Sequence, residues 1–424
     1  MSVDGGVQST VLANGVRVLS EKIPQFRSAT IGIWVENGSR YETAEENGVS
    51  HFLEHIFFKG TTRRDARKIA EEIEAVGGML NAFTGRELTC YHARVLGEDL
   101  PLALDVLGDV FCHSTFPAEE IEKERTVILS EIAETEDSPD AQAHQLFDAA
   151  LWPGHALSRP ICGTPETVSG MQREDFVKFI AARYRADRIV IAAAGAVEHS
   201  ELVAWAETAL SGLSGQTTAP DLLVPDTASG LHIHKRDLEQ VQLLMGVPGL
   251  SSKDDRRFAA FVLNTAFGEG MSSRLFQEVR EKRGKAYSIY SFLDLTENVG
   301  SMSVYAALRA ESVAEVVEIV RDEMISLRDN GLTDEELARA KSQIKGHILL
   351  SLESCSSRMR RLAVNQIHYG RVVPIDEIAA RIDAVDATAI RELTDHFFGS
   401  QDLLVSLLGR LEDGAVPEAA LRLT

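Results

Sequence analysis

The stretch SGLSGQTTAPDLLVPDTASG, residues 211–230, decides how this chain is divided. It is dense in Gly, Ser, Thr and Pro, which favour turns and irregular backbone, and it therefore predicts a flexible linker. The stretch lies near the middle of a chain of 424 residues, a length that allows two or three domains. A linker at that place makes an internal repeat worth testing, because a duplicated unit leaves similar patterns on either side.

The segments on either side of the linker share one order of hydrophobic patterns. Each half opens with alternating apolar residues, typical of strand-turn-strand, continues with a helical segment, and returns to alternation. A helix with an acidic first turn then follows in both halves. The paired segments are 16–35 with 231–247, 80–95 with 286–292, and 116–131 with 332–347. The simplest interpretation is two similar α+β halves, with domains at 1–213 and 231–424 and the linker at 214–230.

The composition excludes several classes of protein. Lys and Arg number 43 against 64 Asp and Glu, and this net charge of −21 argues against a nucleic-acid partner, because phosphate binding needs clustered cations. No run approaches the roughly 18 apolar residues of a membrane span, so no membrane partner is expected. The 4 cysteines include no CxxC pair, which argues against a disulfide framework or a thiolate zinc site. A reducing, cytoplasmic location is expected.

The residues HFLEH, 51–55, form an H-x-x-E-H motif within a predicted helical segment. On a helix, His51 and His55 lie one turn apart on the same face, so both imidazoles can reach one metal ion. Glu54 projects beside that line, where it can take a proton from a bound water instead of binding the metal. Neutral imidazole suits Zn²⁺, and a catalytic zinc site has three protein ligands and one open position. The alternative is that both histidines are ordinary helix-surface residues.

A third ligand is expected on a second rigid element, and segment 121–134 offers two carboxylates. Glu124 and Glu131 are seven residues apart, about two helical turns, and therefore share one helix face. Glu131 is the candidate ligand, and one of the two could bind the metal while the other holds an imidazole N–H or the water. A solvated acidic helix face has the same spacing, so spacing alone leaves both interpretations open.

Four segments of the chain resemble one family of enzymes. They are HFLEHIFFKGT at 51–61, GGMLNAFTGRELTCYHA at 77–93, IEKERTVILSEI at 121–132 and FGEGMSSRLFQEVREKRGKAYSIYSF at 267–292. They are similar to the pitrilysin, insulin-degrading enzyme and mitochondrial-processing-peptidase family of zinc metallopeptidases, in its short-chain bacterial-type branch, which carries the inverted motif H-x-x-E-H. The resemblance implies an α+β fold of two homologous lobes, each a mostly antiparallel sheet packed with helices, that form a clam-shell.

The resemblance also implies a role for each matching position of the first half. His51, His55 and Glu131 would bind one Zn²⁺. Glu54 would be the general base and Glu124 a supporting carboxylate. An edge strand that pairs with the peptide backbone would contain three further positions, Asn81, Ala82 and Phe83.

In the second half, the resemblance matches Arg280 and Tyr287 to a pair that reaches the substrate and the developing oxyanion. Without the resemblance, Tyr287 would be interpreted as a packing residue of a strand and Arg280 as a surface ion-pair partner. Lys285 stands where the family usually has an apolar residue. Processing peptidases also recognise an arginine of the substrate near the cleavage site, through acidic residues that follow the zinc-binding glutamate in sequence. In this chain, Asp140 and His144 occupy those positions.

An alignment of the two halves tests whether the second half holds a metal set. With Gly60 opposite Gly270, the residues opposite the motif are Phe261, Asn264 and Thr265. Alignment of the later helices places Ala340 opposite Glu124 and His347 opposite Glu131. The second half therefore lacks the metal set, and we predict one zinc per chain.

The expected function is that of a zinc-dependent endopeptidase. It would hydrolyse unstructured peptides or presequence-like segments in a closed chamber, through a zinc-bound water activated by Glu54. The alternative, from a different class, is a non-catalytic core or partner subunit of the same fold in a larger assembly. Besides the peptide substrate, the expected partners are a second copy of the chain or a related partner subunit.

Overall fold

The computed structural model of the protein describes residues 6–215, 222–399, 402–412 and 414–423. Residues 216–221, which belong to the predicted linker, lie outside the described residues. The chain forms two compact units. Unit 1 comprises Met1–Ala133, Arg159–Asp221 and Leu350–Ile375, and unit 2 comprises Glu134–Ser158, Leu222–Leu349 and Asp376–Thr424.

The strands form one sheet in each unit. In the described residues they are β1 (Val7–Val11), β2 (Arg17–Lys22), β3 (Ser28–Val35), β4 (Met79–Thr84), β5 (Thr89–Leu96), β6 (Ile189–Gly195), β7 (Gly230–Lys235), β8 (Val241–Gly249), β9 (Ala286–Leu295), β10 (Gly300–Leu308) and β11 (Leu404–Gly409). The sheet of unit 1 has the order β1-β2-β6-β3-β5-β4, and the sheet of unit 2 has the order β7-β11-β8-β10-β9.

The two sheets have the same topology. In unit 1, β2 and β6 are parallel and every other neighbouring pair is antiparallel. In unit 2, β7 and β11 are parallel and the other pairs are antiparallel. Apart from β1, strand order and direction match one for one. The predicted α+β fold of two homologous lobes with mostly antiparallel sheets is confirmed.

The α-helices lie between these strands along the chain, singly or in groups. In the described residues they are α1 (Val49–Ile56), α2 (Ala66–Glu74), α3 (Leu100–His113), α4 (Ala118–Asp137), α5 (Pro139–Leu151), α6 (Pro165–Gly170), α7 (Arg173–Arg183), α8 (His199–Ala209), α9 (Arg257–Phe267), α10 (Val313–Asn330), α11 (Asp334–Ser351), α12 (Cys355–Tyr369), α13 (Ile375–Asp383) and α14 (Ala387–Phe398). None of the helices in these ranges combines the length and hydrophobicity needed to span a bilayer.

Each sheet packs one face against helices of its own half of the chain. In unit 1 the main core joins residues such as Ile31 and Tyr91 to α1, α3 and α8. In unit 2 the corresponding core joins residues such as Leu243 to α9, α10 and α14. These cores hold most of the fully buried aliphatic side chains, and burial of that kind is the main favourable term in folding.

The opposite face of each sheet is covered by a helix from the other half of the chain. In unit 1, α12 packs Met359 and Leu362 against Trp34. In unit 2, α5 packs Phe147 against Tyr305. The central strands are apolar on both faces, so both faces require cover. Each unit therefore contains chain from both sides of the linker.

Candidate metal centre

Helix α1 can present the H-x-x-E-H motif because its apolar residues occupy the other face. Four residues at the helical spacing i, i+3, i+4 and i+7 are buried in the core of unit 1: Val49, Phe52, Leu53 and Ile56. The helix begins after Gly48, whose φ is 96°. A Cβ at Gly48 would lie 2.8 Å from the carbonyl oxygen of Cys162, so only glycine fits there without a shift of the helix start.

The side chains of His51, His55 and Glu131 converge in unit 1. Nε2 of His51 lies 3.7 Å from Oε1 of Glu131, and Nε2 of His55 lies 3.6 Å from Oε2 of that carboxylate. One ligand atom from each residue lies within 4.8 Å of the other two. Tetrahedral zinc with bonds of about 2.0–2.2 Å holds its ligand atoms roughly 3.3–3.6 Å apart. The three side chains therefore fit one zinc ion after small adjustments.

Burial puts His51 in the protonation state that binds a metal. Its side chain is 11% exposed. Burial, assisted by the charge of neighbouring His55, lowers the pKa of His51 to about 4. The imidazole is therefore neutral near pH 7 and keeps a lone pair on one ring nitrogen.

Glu124 contacts the second histidine. Its Oε2 lies 3.1 Å from Nδ1 of His55, and its Oε1 lies 2.7 Å from Nζ of Lys59. An ionised carboxylate only accepts hydrogen bonds, so Nδ1 of His55 is the donor and Nε2 keeps the lone pair that faces Glu131. The structure thus brings Glu124 to the far side of the ring and Glu131 to the side where a metal would bind.

Glu54 lies in the same helix, between the two histidines in sequence, and contacts the edge strand. Burial raises the pKa of Glu54, although hydrogen bonds from the side chain and backbone of Thr84 and the charge of His55 act against it. The negative charge of Glu131 raises that pKa further. A raised carboxyl pKa suits a general base, because proton transfer is most efficient when the pKa approaches the working pH.

The predicted peptide-binding residues lie in β4, the edge strand next to this site. In the described residues β4 pairs only with β5, and its other edge is free. Asn81, Ala82 and Phe83 pair with His92, Tyr91 and Cys90 of β5. The Ala82 N–H donates to Oδ1 of Asn81 at 2.8 Å. Side chains alternate along a strand, so those of Asn81 and Phe83 share one face and that of Ala82 points to the other.

Arg280 and Tyr287 come into contact in unit 2. The guanidinium carbon of Arg280 lies 5.1 Å from the centre of the Tyr287 ring. Tyr287 is the second residue of β9 and is 78% exposed, which rules out core packing as its role. Within the described residues Arg280 has no ion pair, and its other ring contact is Phe276, at 4.7 Å.

Three residues that support the centre were missed from the sequence. The buried carboxylate of Glu42 accepts from the backbone N–H groups of Gly48 and Ser50, both at 2.8 Å, and so holds the first turn of α1. Lys59 pairs with Glu124, and Thr84 binds Glu54. A glutamate seven residues before the first residue of a helix matches no standard capping pattern. No sequence signal would have identified these contacts.

Glu124→Gln is expected to weaken zinc binding about 10–100-fold, the usual effect of losing an outer-shell carboxylate. The amide oxygen can still accept a hydrogen bond from Nδ1 of His55. It lacks the negative charge that makes Nε2 of the same ring a stronger electron-pair donor to a metal. Competition with a chromophoric chelator measures the affinity. Glu119→Gln, in the exposed first turn of the same helix, is the control and should bind like the parent protein. Unchanged affinity in Glu124→Gln would contradict this role.

Comparison with known proteins identifies the family. The family model of the insulinase peptidases, family M16, matches residues 17–165, and the model of the M16 inactive domain matches residues 170–344. An uncharacterised zinc protease of Streptomyces coelicolor is 42% identical over 96% of this chain and 91% of its own length. A protein of Arabidopsis thaliana, named as a probable mitochondrial-processing peptidase subunit beta, is 35% identical over 95% of this chain and 78% of its own.

The fold is similarly matched among solved structures. A Pseudomonas fluorescens structure described as a peptidase M16 inactive domain superposes with a TM-score of 0.89 at 20% identity. The match covers 95% of this chain and 98% of that one. The two proteins therefore share one fold over both units. Their sequence identity is too low to support an inference about function. Taken with the sequence matches above, these results show that the chain belongs to peptidase family M16, the insulinase family, whose members include relatives named zinc proteases.

Proposed function

We propose that this protein is a zinc-dependent endopeptidase that hydrolyses unstructured peptides or presequence-like segments in a closed chamber. The observation that carries the proposal is the convergence of His51, His55 and Glu131, with Glu54 in the same helix and a free strand edge beside it. This combination would provide a metal site, a base and a peptide-binding edge within one unit.

His51, His55 and Glu131 would hold the zinc ion. When bound, zinc supplies a Lewis acid that polarises a carbonyl and lowers the pKa of water to about 7. Glu54 supplies the base: its carboxylate accepts the proton of the attacking water and then delivers it to the nitrogen of the leaving amine. Glu124 keeps the His55 ring in one orientation throughout.

The peptide would bind by adding a strand to β4. Its backbone N–H and C=O groups would pair with the free edge that contains Asn81, Ala82 and Phe83. Strand addition requires an extended chain, and a peptide folded into its own helix or sheet cannot offer those groups. This requirement supports unstructured segments as the substrate class.

Unit 2 would bind substrate without binding a metal. Arg280 and Tyr287 are both hydrogen-bond donors, lie against each other and leave the phenol exposed. Such donors suit the negative oxygen of a tetrahedral intermediate. We assign them to that role by their match to the family pair, with the second half as a substrate-holding domain and residues 1–213 as the catalytic one.

The proposal predicts zinc-dependent cleavage by the purified chain. Metal analysis should find one zinc per chain, and an unstructured peptide should be cleaved internally while the same segment within a folded domain resists. A chelator should abolish cleavage, and added zinc should restore it. Bound zinc without cleavage of any peptide in a random library would favour the non-catalytic subunit instead. Absence of zinc binding would overturn both the metal site and the proposed activity.

A further inference from the structure

Helix α12 carries an arginine whose position none of the preceding roles explains. The helix comes from the second half of the chain but packs on the sheet of unit 1, on the face opposite α1. Arg360 is exposed, and its guanidinium carbon lies 5.8 Å from the centre of the Phe83 ring. Phe83 is one of the edge-strand residues proposed to bind peptide. A cation from the second half of the sequence therefore stands at the peptide-binding edge.

The neighbouring arginines of α12 differ from Arg360 in their partners. Arg358 and Arg361 both pair with Glu21, whose side chain is 2% exposed, so these two charges anchor the helix on the sheet. Among the described residues Arg360 has no ion pair, and the contact it makes is the Phe83 ring. Anchoring therefore accounts for two of the three charges and leaves the third available to a ligand.

The ring of Phe83 prepares Arg360 for binding an anion. Phe83 is itself held edge-on against Trp34, with ring centres 5.5 Å apart. An arginine above an aromatic face is stabilised by cation–π attraction, while the N–H groups at the rim of the guanidinium remain free for hydrogen bonds. These N–H groups match a carboxylate in geometry as well as in charge.

The strand register determines which side chains of a bound peptide would meet Arg360. Phe83 pairs with Cys90, and Cys90 pairs with Trp34, so these residues form one row across the sheet. Trp34 and Cys90 pack against α12, which places the row on the α12 face. In an added strand, every second side chain projects to that face. Arg360 would therefore meet side chains at alternate peptide positions.

We propose that Arg360 is a specificity-determining residue that binds the carboxylate of an acidic side chain in the peptide paired with β4. The inference rests on the proposed peptidase function and adds a preference to it. Because the contact is the same before and during bond cleavage, the preference should appear in KM more than in kcat.

Matched pairs of peptides test this inference. The two peptides of a pair carry Glu or Gln at one position, and that position is moved from pair to pair through the residues on both sides of the cleaved bond. For the parent protein, Glu should raise kcat/KM by about fivefold, the effect of one partly exposed ion pair. The gain should occur at one position or at positions two apart, and not at adjacent positions. Arg360→Gln should abolish the gain, and Arg360→Glu should transfer it to peptides with Lys at the same position.

Arg67→Gln is the matched control, because Arg67 is an exposed arginine of α2 with its charged side chain 83% accessible. It should keep the parent preference for Glu. If the parent protein cleaves peptides but Arg360→Glu keeps that preference, the assignment of Arg360 is wrong and the peptidase function stands. If the parent protein cleaves no peptide, the proposed function fails and the inference fails with it.

Discussion

Glu54→Gln is expected to lower kcat for peptide hydrolysis about 10²–10⁴-fold, the usual contribution of a general base, while zinc binding persists. Glutamine has the shape of glutamate and can still accept the hydrogen bonds that Thr84 donates to this position. It cannot take up a proton, so only the proton-transfer steps are lost. Single-turnover cleavage of a fluorogenic peptide measures the rate, and metal analysis of the same sample measures zinc.

The control for this variant is Glu71→Gln, a change of the same kind on α2, where Glu71 forms a surface pair with Arg67. It should leave kcat unchanged. Turnover in Glu54→Gln within a few-fold of the parent rate would show that another group acts as the base. Loss of zinc in that variant would show that Glu54 supports the metal instead of the proton transfer.

The second large effect is expected from Glu131→Gln, a substitution that acts on metal binding itself. We expect zinc affinity to fall by more than about 100-fold, beyond the loss typical of outer-shell residues, since the site loses a ligand of opposite charge to the ion. Cleavage should disappear at zinc concentrations that saturate the parent protein. Chelator competition measures the affinity, and circular dichroism shows whether the fold is kept.

Glu119→Gln on the same helix is again the control, and it should retain full affinity. A Glu131→Gln protein that still binds one zinc per chain tightly would mean that Glu131 is not a ligand. The variant also separates the role of Glu131 from that of Glu124. Glu124→Gln should leave a weakened site that high zinc restores, whereas Glu131→Gln should stay inactive at the same zinc concentration.

Much of the fold could be predicted because secondary structure depends on local periodicity. The alternation in segment 80–95 became β4 and β5, and the motif HFLEH lies in α1 as expected. The repeated patterns on both sides of the linker correspond to two sheets of one topology. Period-two and helical spacing are properties of neighbouring residues, so they can be read without knowledge of any distant contact.

The candidate site was only partly predictable. Spacing placed Glu124 and Glu131 on one face of α4 but did not distinguish their positions relative to the histidines. The packing of α4 beside α1 decides this: Glu124 contacts Nδ1 of His55, while Glu131 faces Nε2 of both rings. Which carboxylate meets which nitrogen depends on the angle between two helices, and no pattern within one helix records that angle.

The sequence alone determined the two-fold repeat, the restriction of the metal motif to the first half and the residue types of the proposed site. Tertiary structure alone decided that α5 and α12 each cover the sheet of the other half, and that Arg360 stands over Phe83. The reason is that such contacts join distant parts of the chain, as Arg358 and Glu21 do across 337 residues. They form because a sheet with two apolar faces must be covered on both, and local periodicity does not say which helix will cover the second face.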